Sequence, residues 1–142
     1  MKTLLLTLSL LCCLSPPENT WNILYQVDFK VQYLPEIEDF VFLPVPNEAV
    51  LALEGQTIIL KGERVTVNRK DINHKNTFVI AEQDWEKPDF ISLEEYGVKL
   101  HSKEPLSLQK DKAYTFQGVF HFNTKDKLDF AFQLREAICL DC

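Results

Sequence analysis

Trp21, Ile23, Tyr25, Val27, Phe29, Val31 and Tyr33 occupy alternate positions, with Asn22, Gln26, Asp28, Lys30 and Gln32 between them. An apolar residue at every second position predicts a half-buried strand. Pro35, Pro44 and Pro46 interrupt the next stretch of chain. The apolar segment Phe40 to Leu43 is therefore expected to lie against the domain, covering an open end or an edge, and not to enter a central strand.

Gln56 to Val67 reads as one long strand in which Ile58 and Leu60 share a face while Val65 and Val67 have the opposite parity. A bulge at Gly62 would reconcile the halves and let the strand serve two sheets, as at the corner of a small closed barrel. Asn68 to Asn76 is polar and predicts a turn, Thr77 to Ala81 a short apolar strand, and Glu82 to Pro88 a charged loop carrying Trp85. Tyr114, Phe116, Gly118, Phe120 and Phe122 alternate with Thr115, Gln117, Val119, His121 and Asn123, and Phe130, Phe132 and Leu134 with Ala131, Gln133 and Arg135. The polar connection Asn123 to Asp129 joins these two as a hairpin.

No stretch shows a sustained helical period between caps. About five strands, one of them bent at a glycine, predict an all-β fold: a small OB-like Greek-key barrel, with a β-sandwich as the alternative. The chain has 142 residues, 46% hydrophobic and 25% charged, with only four Gly and seven Pro. Those values fit one globular domain and exclude collagen-like or low-complexity chains. Folding at this size buries roughly 68% of the unfolded surface, enough for a core without staples.

Met1-Lys2-Thr3, the apolar run Leu4 to Leu14 and then Ser15-Pro16-Pro17 have the layout of a secretory signal. The apolar run is too short to span a bilayer as a helix, which takes about 20 residues. Residues 1–15 are therefore expected to be a cleaved signal peptide and 16–142 the single domain, periplasmic or secreted. Cys12 and Cys13 raise lipidation as an alternative that would anchor the protein to a membrane, although Leu10 and Leu11 are larger than lipidation sites want. The net charge of −6, or −7 once Lys2 is removed, opposes nonspecific attraction to nucleic acid or to anionic membranes.

Cys139-Leu140-Asp141-Cys142 has redox-motif spacing. It reads either as a terminal disulfide or plain packing, or as a thiol centre or half of a metal site. His121 cannot complete that metal site: with Phe122 opposite Phe130, His121 faces Ala131, and the eight residues from there to Cys139 span roughly 26 Å. Metal ligands sit about 2.0 to 2.3 Å from zinc. His74 and His101 are expected on the surface. Glu136 has inward parity, which means either a buried carboxylate with a raised pKa, or a local bulge or a position at the barrel mouth where water reaches it. Ser92, Ser102 and Ser107 lack a nucleophile-elbow context, no His-Glu-x-x-His occurs, and the scattered glycines make no phosphate loop. No catalytic residue, metal or cofactor is expected.

Trp21-Asn22-Ile23-Leu24 followed by Val27-Asp28-Phe29 and Tyr33, then Leu53-Glu54-Gly55-Gln56 leading into Thr57-Ile58-Ile59-Leu60-Lys61-Gly62, give the chain a recognisable order. Thr115-Phe116-Gln117-Gly118 before Asn123, and Leu134-Arg135-Glu136-Ala137, complete it. In these segments the chain resembles a family of uncharacterised exported OB-fold proteins of Bacteroidota. The resemblance implies a barrel and a bacterial envelope setting, and no activity. Members of that family carry a cysteine pair just after the strand matching Phe78-Val79-Ile80. Here Ala81-Glu82-Gln83-Asp84-Trp85-Glu86 has none, so no metal or redox role carries over. OB barrels bind ligands through aromatic side chains and flanking loops, and Trp85 is the large aromatic in a charged loop. The expectation is a noncatalytic binding or accessory protein for an unknown envelope protein or ligand, with Trp85 on its binding surface.

Overall fold

The computed structural model describes residues 20–67, 72, 75–82 and 93–142. Helix α1 (Thr20–Tyr25) opens this part of the chain and places Trp21 and Leu24 on one face, followed by Val27; all three are buried. Here the structure departs from the expected strand. Over so short a run the periods of 2 and 3.6 share several positions, and the deciding residue is Leu24, fully buried at an even position where alternation puts a solvent-facing residue. The Trp21 indole N–H donates to the Lys61 carbonyl at 2.8 Å, fixing the helix against the barrel strand that carries Lys61.

Strands β1 (Asp28–Leu34) and β2 (Asp39–Val45) then pair antiparallel, from Asp28 opposite Val45 to Leu34 opposite Asp39, as a separate two-stranded sheet. Pro35 sits in the connecting turn, where Ile37 N–H donates to Leu34 O and Glu38 adopts a left-handed φ of 54°. Phe40 to Leu43 is thus a paired strand, and it lies beside the loop residues Lys127 to Phe130 with Val41 buried. Pro44 does keep it out of a central position, because proline cannot donate to a second neighbour.

A single turn of helix, α2 (Glu48–Leu51), is capped by the Asn47 side chain, which accepts from Val50 N–H at 2.9 Å. Beyond it come β3 (Thr57–Val65), β4 (Thr77–Ala81), the short α3 (Leu93–Tyr96), β5 (Val98–Ser102), β6 (Ala113–Phe122) and β7 (Phe132–Cys139). These five strands close into an all-β, OB-like barrel in the order β3-β4-β5-β7-β6, with β6 returning to β3 and only β5 and β7 parallel. Strand β3 serves two neighbours, β6 over Thr57 to Glu63 and β4 over Glu63 to Val65.

No bulge lies at Gly62, because its register with β6 is unbroken. The glycine is there for space: a Cβ would stand 2.6 Å from the Ala81 carbonyl oxygen and 3.2 Å from the Trp21 ring. The ladder shifts instead between β6 and β7, where two residues of β7, Glu136 and Ala137, oppose Gly118. Glu136 takes a φ of 51° and is exposed, so its inward parity is cancelled by the bulge and Ala137 enters the core in its place.

Strand β6 buries Tyr114, Phe116, Gly118, Phe120 and Phe122 on one face, as its alternation requires. Phe116, Phe120, Phe132 and Leu134 are almost wholly excluded from water, each contributing roughly 1.5–3 kcal/mol of burial. Strand β4 is apolar on both faces because Phe78 and Ile80 enter the barrel while Val79 joins Val67, Ile72 and Phe130 in a smaller cluster outside it. That cluster explains a register correction: Phe122 pairs with Phe132, not Phe130. The Asn123 side chain accepts from the Lys125 and Asp126 amides and donates to the Phe130 carbonyl, holding the connection as a built loop and not a strand extension.

Candidate interaction surface

Alternation in β1 and β2 gives the hairpin one wholly apolar face. The register partners Val31 with Phe42 and Tyr33 with Phe40 lie on it, and Phe29 with Pro44 continue it toward the barrel. At that inner end the hairpin is fastened: the Phe29 ring meets Tyr96 edge-on at 5.2 Å and Phe132 at 6.2 Å, and the Tyr96 hydroxyl donates to the Val27 carbonyl. Further out the face is open to solvent, with Val31 61%, Phe40 59%, Tyr33 49% and Phe42 39% exposed. The Tyr33 and Phe40 rings sit edge to face at 5.2 Å and so hold each other in place.

Ile37 at the tip and Leu128 on the β6–β7 loop extend the patch. Between the hairpin and that loop runs a cleft of about 230 Å³ bounded by Phe40, Val41, Phe42, Lys127, Leu128 and Phe130. Lys127 Nζ donates to the Gln32 side chain at 3.2 Å across the other face of the hairpin. The loop itself is tied to the barrel through Asp129, whose carboxylate accepts from Lys99 Nζ at 3.0 Å and from the Gln133 side chain. Together these apolar side chains present on the order of 400–500 Å², comparable to the largest patches on monomeric proteins, which are often functional.

The outer end of the patch is acidic, with Lys127 lining the cleft beside it. Glu36, Glu38 and Asp39 surround its outer end, all exposed. Asp39 also accepts from the Phe40 amide at 2.8 Å, capping one of the edge donors of β2.

Trp85, Cys12, Cys13 and His74 lie outside the described residues. Cys139 and Cys142 are joined as a disulfide. The four-residue ring they close sets Asp141 against the start of β6, where its carboxylate accepts from the Thr115 amide at 2.7 Å and hydroxyl at 2.9 Å. Those bonds hold the Asp141 carboxyl below its ordinary range. His121 pairs with Gln133, six residues before Cys139, roughly 20 Å along a strand, so it remains separate from the cysteines. Its ring instead meets Glu54 at 2.8 Å. Partial burial would raise the Glu54 carboxyl, but the Phe122 amide and His121 outweigh it and hold the group below its ordinary value.

His101 belongs to β5 and is half-buried, contrary to the surface position expected of it. Burial, with Lys99 adding to it, pulls its imidazole below the ordinary value. Ser102 is buried and its hydroxyl donates to the Glu104 carbonyl. Burial and a hydrogen bond with Glu82 push the Tyr25 phenol well above its usual value. Among the described residues no group of three or more His, Cys, Asp or Glu is arranged to hold a metal, and no helix is long and apolar enough to cross a membrane.

The hairpin face is the feature that reading the sequence missed. Its signal was present as two alternating runs on either side of Pro35, Val31 and Tyr33 before it and Phe40 and Phe42 after it. Alternation shows that two faces differ but does not say which of them meets the core. No family model, curated protein or solved structure matches the chain.

Proposed function

We propose that this is an exported, noncatalytic binding or accessory protein of the bacterial envelope space, akin to the exported Bacteroidota OB-fold proteins it resembles. In this reading the barrel is a mount and the open face of the hairpin is the surface that meets a partner. The observation that carries it is the contiguous exposure of Val31, Tyr33, Phe40 and Phe42 on an arm whose inner end is anchored on the barrel. A soluble monomer gains nothing for its own folding from leaving such side chains in water. The signal-like Met1 to Ser15 segment supports the compartment, with lipidation at Cys12 or Cys13 as its membrane-anchored variant. Trp85 is proposed as a second contributor to partner binding.

A photo-crosslinking side chain placed at position 40 in cells of the source organism tests this. It should yield a discrete adduct, whereas the same group at Ile138, also exposed but on the barrel, should yield none. Equal labelling from both positions would remove the hairpin as the binding surface.

The second reading is a thiol or metal protein using Cys139 and Cys142, and the joined pair is the observation in its favour. A Cys139→Ala, Cys142→Ala protein that loses a genuine activity, or purified protein holding stoichiometric metal, would support that reading instead.

A further inference from the structure

The hairpin's ladder shows which of its two edges is receptive. Pro44 is the partner of Phe29 and has no N–H to give, so this pair fits the positions whose backbone groups point away from the neighbouring strand. Pairs alternate along an antiparallel ladder between bonded and non-bonded. Val31 with Phe42 and Tyr33 with Phe40 are therefore of the same outward-pointing kind. The Phe40 amide confirms the phase, since it donates to its own neighbour Asp39.

On the β2 edge, then, one donor is missing at Pro44 and another is already taken at Phe40. On the β1 edge the outward amides and carbonyls of Val31 and Tyr33 pair with no other described strand, and the residues around them are exposed. Edges of this kind are ordinarily blunted by proline, charge or cover. Among the described residues β2 has lost two of its outward donors, whereas β1 keeps those of Val31 and Tyr33, with Lys30 as the charge that guards that edge.

Resting on the binding function proposed above, we infer that the β1 edge accepts an extended segment of a partner polypeptide as a third strand. The segment would carry apolar residues at alternate positions and basic residues at the end lying beside the acidic hairpin tip. Strand addition takes its affinity from main-chain bonds and its specificity from alternate side chains. The alternate side chains of the added strand would extend the face formed by Val31, Tyr33, Phe40 and Phe42.

Charge selects the partner. The tip bears Glu36, Glu38 and Asp39, and the chain as a whole −6, which repels a second copy and an anionic bilayer and attracts Lys or Arg. Asp28 and Lys30 on the other face of β1 offset each other, and Lys127, engaged with Gln32 on that face, reduces the acidic excess at the tip without cancelling its three carboxylates. Size points the same way: a patch on the order of 400–500 Å² falls short of the roughly 800 Å² per partner of a stable globular interface, but suits one strand. Because antiparallel pairs outnumber parallel ones, the basic end should be the N-terminus of the added segment, which then lies where β1 ends at the tip.

The probe is a fluorescent synthetic peptide of about ten residues, long enough to run the length of β1, with a lysine pair at its N-terminus followed by alternating valine and threonine. Fluorescence anisotropy should show saturable binding to the full-length protein. Val31→Pro removes one outward donor while leaving an apolar ring on the face, and should weaken binding about tenfold, the equivalent of one or two backbone hydrogen bonds. Exchanging the lysines for glutamates should also cost about tenfold. Methylating alternate peptide amides should abolish binding in one phase and spare it in the other, and this series decides the matter if Val31→Pro fails to fold.

No saturable binding, unchanged binding to Val31→Pro, or equal effects of both methylation phases would overturn the inference. So would a protein that is dimeric through this edge, or one that binds phosphatidylcholine vesicles through the same residues. The binding function itself is read separately by a Val31→Lys, Phe42→Glu protein, which alters the face and leaves the backbone edge intact. If that variant loses its envelope partner while Val31→Pro keeps the peptide, only the strand addition fails.

Discussion

The indole of Trp21 lies against Gly62: a Cβ built on the glycine would stand 3.2 Å from the ring and 2.6 Å from the Ala81 carbonyl oxygen. Backbone on one side and a core tryptophan on the other leave no room to give way. Gly62→Ala should therefore destabilise the protein by about 1–3 kcal/mol through overpacking. Gly55→Ala offers a contrast, because a Cβ there meets nothing within 4 Å and only the φ of 74° opposes it. Its cost should be about 1 kcal/mol. Denaturant midpoints of the two variants check both, and a Gly62→Ala protein as stable as wild type would show that the helix is not seated on β3 as described.

These glycines also show how far the sequence could be read. Gly62 stood out because the parity of β3 changes beyond it, but Val65 and Val67 have that parity because they pack with Val79 and Phe130 in the cluster outside the barrel. The glycine itself answers to a through-space neighbour more than forty residues away, which no local pattern reports. The real bulge, at Glu136, was legible only as an inward-pointing carboxylate that did not fit. Strand β6 was readable outright because every second residue is buried in one continuous core. Phe130 was misplaced because an apolar residue in phase with a strand looks the same whether it enters the barrel or the cluster beneath the loop. The hairpin face was misread for the same reason.

His101 makes the folded state sensitive to mild acid. Burial first, and Lys99 next, depress its pKa from the ordinary 6.5, so below that value the unfolded chain takes up a proton that the folded imidazole resists. Stability is thus fully present above pH 6.5 and falls as the pH drops toward the folded value. Between about pH 7.5 and about pH 5, His101→Gln should lose less unfolding free energy than wild type. Equal losses in urea titrations at the two pH values would show that His101 titrates alike in both states.

The C-terminal ring should act as a brace for the strand ladder. Closing so short a loop limits the entropic stabilisation to about 2 kcal/mol or less. The ring also positions Asp141 against Thr115. Reduction, or the double Cys139→Ala, Cys142→Ala change, should lower stability by no more than that and speed hydrogen exchange at the Thr115 amide, with the barrel otherwise intact. Unchanged exchange at Thr115 would mean that Asp141 holds its place without the ring.

The hairpin should remain folded when its face is made polar. Val31 and Phe42 are cross-strand partners, so Val31→Lys with Phe42→Glu installs an opposite-charge pair at an exposed site. The change in stability should stay within about 1 kcal/mol. Thermal unfolding checks this, and a larger loss would mean that the face supports the fold.

Affinity capture from native envelope, comparing wild type with the Val31→Lys, Phe42→Glu protein, tests most directly whether the hairpin face is the binding surface. The measured quantity is the recovery of one partner, identified by mass spectrometry and titrated to saturation. Saturable recovery is expected with wild type and at least about a tenfold loss with the variant, equivalent to about 1.4 kcal/mol, at matched unfolding midpoints. Equal recovery by the two proteins would contradict it.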